Sequence, residues 1–317
     1  MSDIMASSEP AVSVVMPTYN HGRFIKSAIG SVLGQTYRNL ELIIVDNYSS
    51  DDTERIVKSY AADDSRVGYQ KFKNNGVIAA SRNVGIRLAK GQFVAFIDSD
   101  DCWFPQKLER VMECFSKRSE IDIVCHDENR ISGEDGVFSK ILRYGPYKSY
   151  EELLFKGNSL STSAVVVRKN KLMESGLFSE KKEFVTAEDY EMWLRLSRTC
   201  NIEYLHDVLG SWRVHEASLS GVGNLDRHSA SVLRVIEHHF AQWPDKTRRY
   251  MSLVDKRRGV VFRSTGWTLL RAGNMSLARG YLFKSLKASP LSAKSWLLFC
   301  VSLTGAKKCV KMLEKFT

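Results

Sequence analysis

A chain of 317 residues with 44% hydrophobic and 26% charged content has the composition of an ordinary soluble globular protein and can bury one large core or two. It has no apolar run of about 18 residues, and its start, MSDIMASSEP, lacks the pattern of a signal peptide, so neither a spanning helix nor secretion is expected. The formal charge of +10 is uneven: from Lys256 onward thirteen Lys and Arg face a single acid, Glu314, so a near-neutral body carries a basic tail. The charge alone would suit nucleic acid, but no recognised nucleic-acid motif accompanies it, so an anionic phospholipid surface is the expected partner and no nucleic acid is expected. Residues 1–10 read as a disordered start. The six cysteines are scattered, with no CxxC pair, as reduced thiols in the cytosol would be.

Ala11–Met16 is an apolar run closed by Pro17 and reads as a first, central strand. The loop PTYNHGR follows, and Phe24, Ile25, Ala28, Ile29, Val32 and Leu33 recur at helical spacing. Leu40–Val45 gives a second buried strand ending in Asp46-Asn47, and Ser49–Thr53 supplies N-caps for a helix to about Tyr60. Val67–Phe72 is a third, more polar strand, and Ile78–Ala89 is helical until Gly91. Phe93–Ile97 is a fourth strand that runs straight into Asp98, Ser99, Asp100 and Asp101. Carboxylates there either face a hard divalent cation or begin the next helix, which Ser99 or Asp100 would cap. Strand–helix alternation of this kind predicts a mainly parallel sheet flanked by helices, with ligands at the carboxyl edge.

Further on, Phe104–Lys117 is an amphipathic helix, Ile121–His126 a strand, and Glu128–Tyr147 a polar, Gly-punctuated loop or hairpin. Thr162–Val167 is a short strand. Glu188-Asp189 opens a buried helix, EDYEMWLRL, where two acids complement the helix dipole whatever else they do. After Leu225 only helical patterns remain, over Leu225–Trp243, Asp245–Arg271, Ser276–Ala288 and Ser292–Leu303, with a basic end at Ala306–Phe316. Gly266, Ala278 and Pro290 fall at the spacing of one tetratricopeptide unit.

VSVVMPTYNHGRFIKSAIGSVLGQTYRNLELIIVDNYSSDDT, then NNGVIAASRNVGIRLAKGQFVAFIDSDDCW, resemble the nucleotide-sugar domain of family 2 glycosyltransferases, which has the GT-A fold. The resemblance covers about Val12 to Ser220. It implies a nucleoside-diphosphate sugar donor, usually a uridine one, a divalent ion (Mn2+ or Mg2+) and inversion at the anomeric carbon. By that match Pro17, Thr18, Tyr19 and Asp46 surround the nucleobase, Arg82 lies near base and phosphates, and Asp98, Ser99 and Asp100 form the acid turn. Asp100 is then the metal residue, with Asp98 on metal and ribose. EDYEMWLRL is similar to the acceptor-site motif, which makes Asp189 the general base and Glu188 the runner-up. His215, in WRVH, is expected to reach the metal or the diphosphate.

The GT-A domain is therefore expected over residues 11–222, with a basic helical region over 223–317. The acceptor is expected to be a glycan or lipid-linked glycan, and single additions fit better than extrusion because the QxxRW signature is absent. The tail, through Ser295–Val301 with Lys307, Lys308 and Lys311, either lies on an anionic membrane at its cytoplasmic face or packs as a core-facing helix beside a solvated one. Two other functions compete: a GT-A domain that has lost turnover and recruits partners, and a nucleotidyltransferase.

Overall fold

In the computed structural model the described residues are 9–215 and 222–304. The first ten positions, apart from Glu9 and Pro10, lie outside them, as do Ser218–Ser220 and the basic end at 306–316. The elements run β1 (Val12–Thr18), α1 (Gly22–Leu33), β2 (Leu40–Asp46), α2 (Thr53–Asp63), β3 (Val67–Lys71), α3 (Ile78–Leu88) and β4 (Phe93–Phe96). Next come β5 (Cys102–Trp103), α4 (Lys107–Lys117), β6 (Ile123–Ser132), β7 (Val137–Leu142), α5 (Tyr150–Lys156), β8 (Val165–Arg168), α6 (Lys169–Glu174), α7 (Glu188–Leu196) and β9 (Ile202–Val214). Helices α8 (Leu225–Ala241), α9 (Arg248–Arg271), α10 (Met275–Ala288) and α11 (Ala293–Thr304) follow. No described helix is long and apolar enough to cross a membrane.

One sheet has the order β3-β2-β1-β4-β8-β6-β9-β5, with β7 paired to β6. Its first four strands are parallel, and β8 then runs antiparallel to β4. Alternation along β1 divides the core: Val12, Val14 and Met16 join Ile25, Ile29, Leu108 and Val111 in one buried cluster, under α1 and α4. Val15 points the other way, beneath α3. A Cβ added at Gly85 would sit 2.4 Å from Val15 Cγ1, so only glycine lets that helix lie so close to the sheet. On the same face Phe96 meets Phe178 and Trp193, at 5.3 and 6.3 Å between ring centroids.

Among the segments that differ from the sequence reading are β1, the 128–147 stretch and the turn before α4. β1 continues through Pro17 to Thr18 instead of closing at Met16, with Pro17 opposite Val45 and Thr18 opposite Asp46. The pairing of β1 with β4 ends at Val15, so the missing N–H of Pro17 faces no neighbouring strand. The 128–147 stretch is the hairpin of the two options, but β6 already carries Glu128 inside the strand, fully buried. The turn before α4 holds the two-residue β5, which delays the helix to Lys107.

The chain divides into two compact units: residues up to Tyr150 with Asn158–His215, and Glu151–Gly157 with everything after His215. In the second, Phe155 of α5 packs against Trp243 and Tyr250, ring centroids 5.0 and 5.4 Å apart. Gly266 of α9 faces α10 so closely that a Cβ would lie 2.8 Å from Leu282, and Ala278 is fully buried nearby. Gly266 and Ala278, two of the three residues noted in the sequence, thus lie where α9 meets α10.

Candidate active site

Parallel strands set their carboxyl ends side by side, and β1, β2 and β4 release the chain there at Thr18, Asp46 and Phe96. The first two loops are laced together: Asn20 Oδ1 accepts from the Ser50 N–H at 2.8 Å, and Ser49 Oγ accepts from the Asn20 N–H at 2.9 Å. Asn20 and Tyr48 hold left-handed backbone, φ 52° and 58°. That is familiar for Asn and strained for Tyr. Asp46 fixes this turn. It is fully buried; Oδ1 accepts from the N–H and hydroxyl of Ser49 at 2.9 and 2.6 Å, and Oδ2 from the Tyr69 hydroxyl at 2.6 Å. What the loops present outward is Tyr19, Asn47 and Tyr48, which with Lys73 and Asn75 line a cleft of about 450 Å³. Pro17 is buried in β1, and the buried Thr18 hydroxyl has no partner among the described residues.

The acid turn after β4 is braced from within by Asp101. Its Oδ2 accepts from the Ser163 hydroxyl at 2.6 Å and its Oδ1 from the Arg213 N–H at 2.8 Å. Burial pushes its carboxyl well above the usual range, with the charges of Asp100 and Glu128 adding to the shift. The Arg213 guanidinium donates from Nε to the Asp100 carbonyl at 2.9 Å and from Nη1 to the Gly133 carbonyl at 2.6 Å. It thereby ties β9 and the tip of the β6–β7 hairpin to the turn. Nothing in the local sequence pattern of Arg213 or Ser163 marks a contact made across so much chain.

The two other aspartates of the turn have separate partners. Asp100 Oδ2 lies 2.9 Å from His215 Nε2. His21, which the sequence reading passed over, meets Ser99 Oγ through Nδ1 at 2.7 Å. Burial lowers the pKa of His21, which keeps its ring neutral near pH 7. One ligand atom from each of His21, Asp100 and His215 lies within 4.8 Å of the other two. Two imidazoles and a carboxylate are donors suited to a divalent ion, so the residues present fit the metal that the resemblance implies.

Asp98 is instead engaged by Arg82, whose Nη2 donates to Oδ1 at 2.9 Å. Through Nη1 the same guanidinium reaches Glu188 Oε1 at 2.6 Å. Arg82 is 3% exposed, so the base-and-phosphate contact expected of it competes with two carboxylates already in place. The bridge brings the acid turn next to the start of α7. There Asp189 Oδ2 accepts from the Thr162 hydroxyl at 3.3 Å and Oδ1 from the Tyr190 N–H at 2.7 Å. Burial first, then the charge of Glu188, lifts the Asp189 pKa to about 7. A carboxyl poised near neutrality can both take and release a proton at working pH.

A sequence model of the family described as Glycosyl transferase family 2 matches residues 13–174, just over half of the chain. Among curated proteins, the UDP-Glc:alpha-D-GlcNAc-diphosphoundecaprenol beta-1,3-glucosyltransferase WfgD of Escherichia coli is 31% identical over 211 residues, 66% of this chain and 79% of that protein. Matches to uncharacterized glycosyltransferases of Rickettsia typhi and Rickettsia prowazekii span 70% and 65% of those proteins' own length. Among solved structures, S. aureus TarS 1-349 in complex with UDP-GlcNAc superposes with a TM-score of 0.62 at 18% identity, covering 93% of this chain and 87% of that one. The mannosyltransferase PcManGT from Pyrobaculum calidifontis, in complex with GDP-Man and Mn2+, gives 0.61 at 16% identity, covering 97% and 84%. At such identities the likeness carries the fold, and the fold is GT-A, with helices at the C-terminal side.

Proposed function

This chain belongs to glycosyl transferase family 2, and we propose that it moves a single sugar from a nucleoside-diphosphate sugar, a uridine one, to a hydroxyl of a glycan or lipid-linked glycan in cell-surface polysaccharide assembly, with inversion. The uridine donor is favoured by TarS, solved with UDP-GlcNAc, and by WfgD, whose name gives UDP-Glc. The lipid-linked acceptor follows WfgD, whose name gives a diphosphoundecaprenol-linked sugar. The observation that carries the reading is the double bridge of Arg82, because it sets the Asp189 helix beside the acid turn.

In this reading Tyr19, Asn47 and Tyr48 hold the nucleobase in the cleft, Thr18 ends β1 beside them with a buried hydroxyl that has no partner among the described residues, and Asp46 keeps the turn in shape. Asp98 and Ser99 lie toward the ribose, while Asp100 and His215 hold the divalent ion, Mn2+ or Mg2+. When bound, that ion offsets the charge gathering on the departing diphosphate. Asp189 accepts the proton of the acceptor hydroxyl as its oxygen attacks the anomeric carbon from the face opposite the diphosphate, hence inversion. Glu188, held by Arg82, stays beside Asp189 and helps raise the pKa of that base.

Thermal unfolding with uridine and guanosine diphosphates, each with Mn2+ or with chelator, tests the donor site. Ligand at ~100-fold its dissociation constant adds about 2.7 kcal/mol, which raises the midpoint by several degrees. A rise with uridine diphosphate plus metal is expected, and Asp100→Asn should remove its metal-dependent part. No rise with any nucleotide would move the reading to a recruiting, non-catalytic domain.

The proposal extends to the membrane. In the second unit Trp296, Phe299 and Phe283 form a partly exposed aromatic group, with ring centroids 6.4 and 6.3 Å apart, and Lys287 Nζ lies 4.8 Å from the Phe283 ring. Aromatic rings beside lysines suit the headgroup region of an anionic, cytoplasmic-face bilayer. The full chain should co-sediment with anionic vesicles and not with neutral ones, and Phe283→Ser with Trp296→Ser should lower that binding. Equal sedimentation of the double variant would sink the membrane contact.

A further inference from the structure

We infer that His21, on the loop between β1 and α1, is a third protein donor to the divalent ion, so that the site holds a first-row transition ion in preference to Mg2+ before any nucleotide arrives. The inference rests on the proposed role of Asp100 and His215 as metal-holding residues, and it adds a ligand from the loop between β1 and α1.

The position of His21 is built, not incidental. Its backbone N–H donates to Thr53 Oγ1 at 3.0 Å, which fixes the start of α1 against the start of α2. Its ring packs edge-on to Phe24 at 5.9 Å and to His215 at 5.8 Å between centroids. Nδ1 meets Ser99 Oγ at 2.7 Å. In the tautomer that donates from Nδ1, the Nε2 lone pair is left to offer, which is how metal-binding imidazoles are commonly oriented: one nitrogen donates to an oxygen and the other ligates. Ser99 sits next to Asp100, so the residue that orients the ring also belongs to the turn that supplies the carboxylate.

Donors about 2 Å from a shared ion lie roughly 3–4 Å from one another. One ring nitrogen each from His21 and His215 and one Asp100 oxygen lie within 4.8 Å of one another and need only a small closure to reach that spacing. Two imidazoles and one carboxylate would hold a divalent ion through nitrogen as well as oxygen, and would leave room for oxygen donors such as a diphosphate. Mg2+ is bound through oxygen and gains little from imidazole, whereas first-row transition ions take nitrogen readily. A site of this composition therefore selects by ligand type.

The test uses the nucleotide-free full chain and Mn2+ alone. Free Mn2+ is counted by its electron paramagnetic resonance signal, and nitrogen couplings of the bound ion are read by electron spin echo modulation. The wild type should bind Mn2+ with coupling from two imidazoles and resist displacement by excess Mg2+. His21→Asn keeps a donor near the place of Nδ1 for Ser99 but removes the outer nitrogen. It should bind Mn2+ at least about tenfold more weakly, show one imidazole coupling and lose much of the preference over Mg2+. His21→Ala should behave alike, with thermal unfolding of both variants checking that they fold. Unchanged affinity and coupling in His21→Asn, or no Mn2+ binding by the nucleotide-free wild type, would overturn the inference. Loss in Asp100→Asn without loss in His21→Asn would overturn it while leaving Asp100 as a metal residue. Loss in neither variant would overturn both.

Discussion

Replacing Asp189 by Asn is expected to leave uridine diphosphate binding intact and to lower kcat by about 10²–10⁴-fold, the range a positioned base contributes. The pH profile should carry the same signature. Burial and the neighbouring Glu188 lift the Asp189 pKa to about 7, and the base works ionised, so kcat of the wild type should rise with pH through about 7 and level off above it. The sign for stability is the reverse. A carboxyl with a raised folded pKa binds its proton over a window where the unfolded chain has already lost it. Stability therefore falls as pH rises from the ordinary aspartate range toward 7, because the native state must bury a charge. Asn removes that burden. The variant should unfold at a higher temperature than the wild type at pH 8, and the advantage should vanish near pH 4. Wild-type-like turnover would remove Asp189 as the base and move the role to Glu188. Loss of nucleotide binding would show that it shapes the site instead.

Some of this was legible from residues alone. The apolar runs of β1, β2 and β4 announce themselves, since buried parallel strands need no alternation. The acid turn and EDYEMWLRL stand out because charges follow or interrupt such runs. β9 escaped notice for a physical reason: it carries Glu203, His206, Asp207, Ser211 and Arg213 among its apolar residues, and it pairs with β6 through register shifts at His126–Glu128. β6 hides its own length in the same way, because His126, Asp127 and Glu128 are buried inside it.

The site residues that sequence reasoning passed over are those whose partners lie far along the chain. His21 bonds to Ser99, Arg213 to the Asp100 carbonyl, and Ser163 to Asp101, and each looks like an ordinary loop or strand residue until the chain folds. α5 is a related case. A helix in the middle of the first unit's sequence belongs with the second unit because Phe155 fits among Phe240, Trp243 and Tyr250. Periodicity marks Phe155 as buried but says nothing of where.

Arg82→Met is expected to be the most destabilising single change in the first unit. Its guanidinium is 3% exposed and Glu188 nearly as buried, so little solvent screens that pair. The Asp98 side chain is a third exposed, and its share counts for less. Removing one partner of a buried pair costs about 3–5 kcal/mol, because the stranded carboxylates keep their desolvation and lose their cation. Met fills much of the volume and preserves contact near Phe178, whose ring lies 5.6 Å from Cζ, so packing alone does not explain a loss of that size. Urea unfolding at two pH values separates the causes. Acidic solution protonates stranded carboxylates, so the deficit should be larger at pH 8 than at pH 5. Arg82→Lys should recover part of it, since an ammonium can meet one carboxylate but lacks the fork that spans both. A deficit that does not change with pH would mean that Arg82 acts by filling space. Its two bonds would then describe the fold without holding it, and the proposed coupling between the acid turn and the Asp189 helix would lose its support.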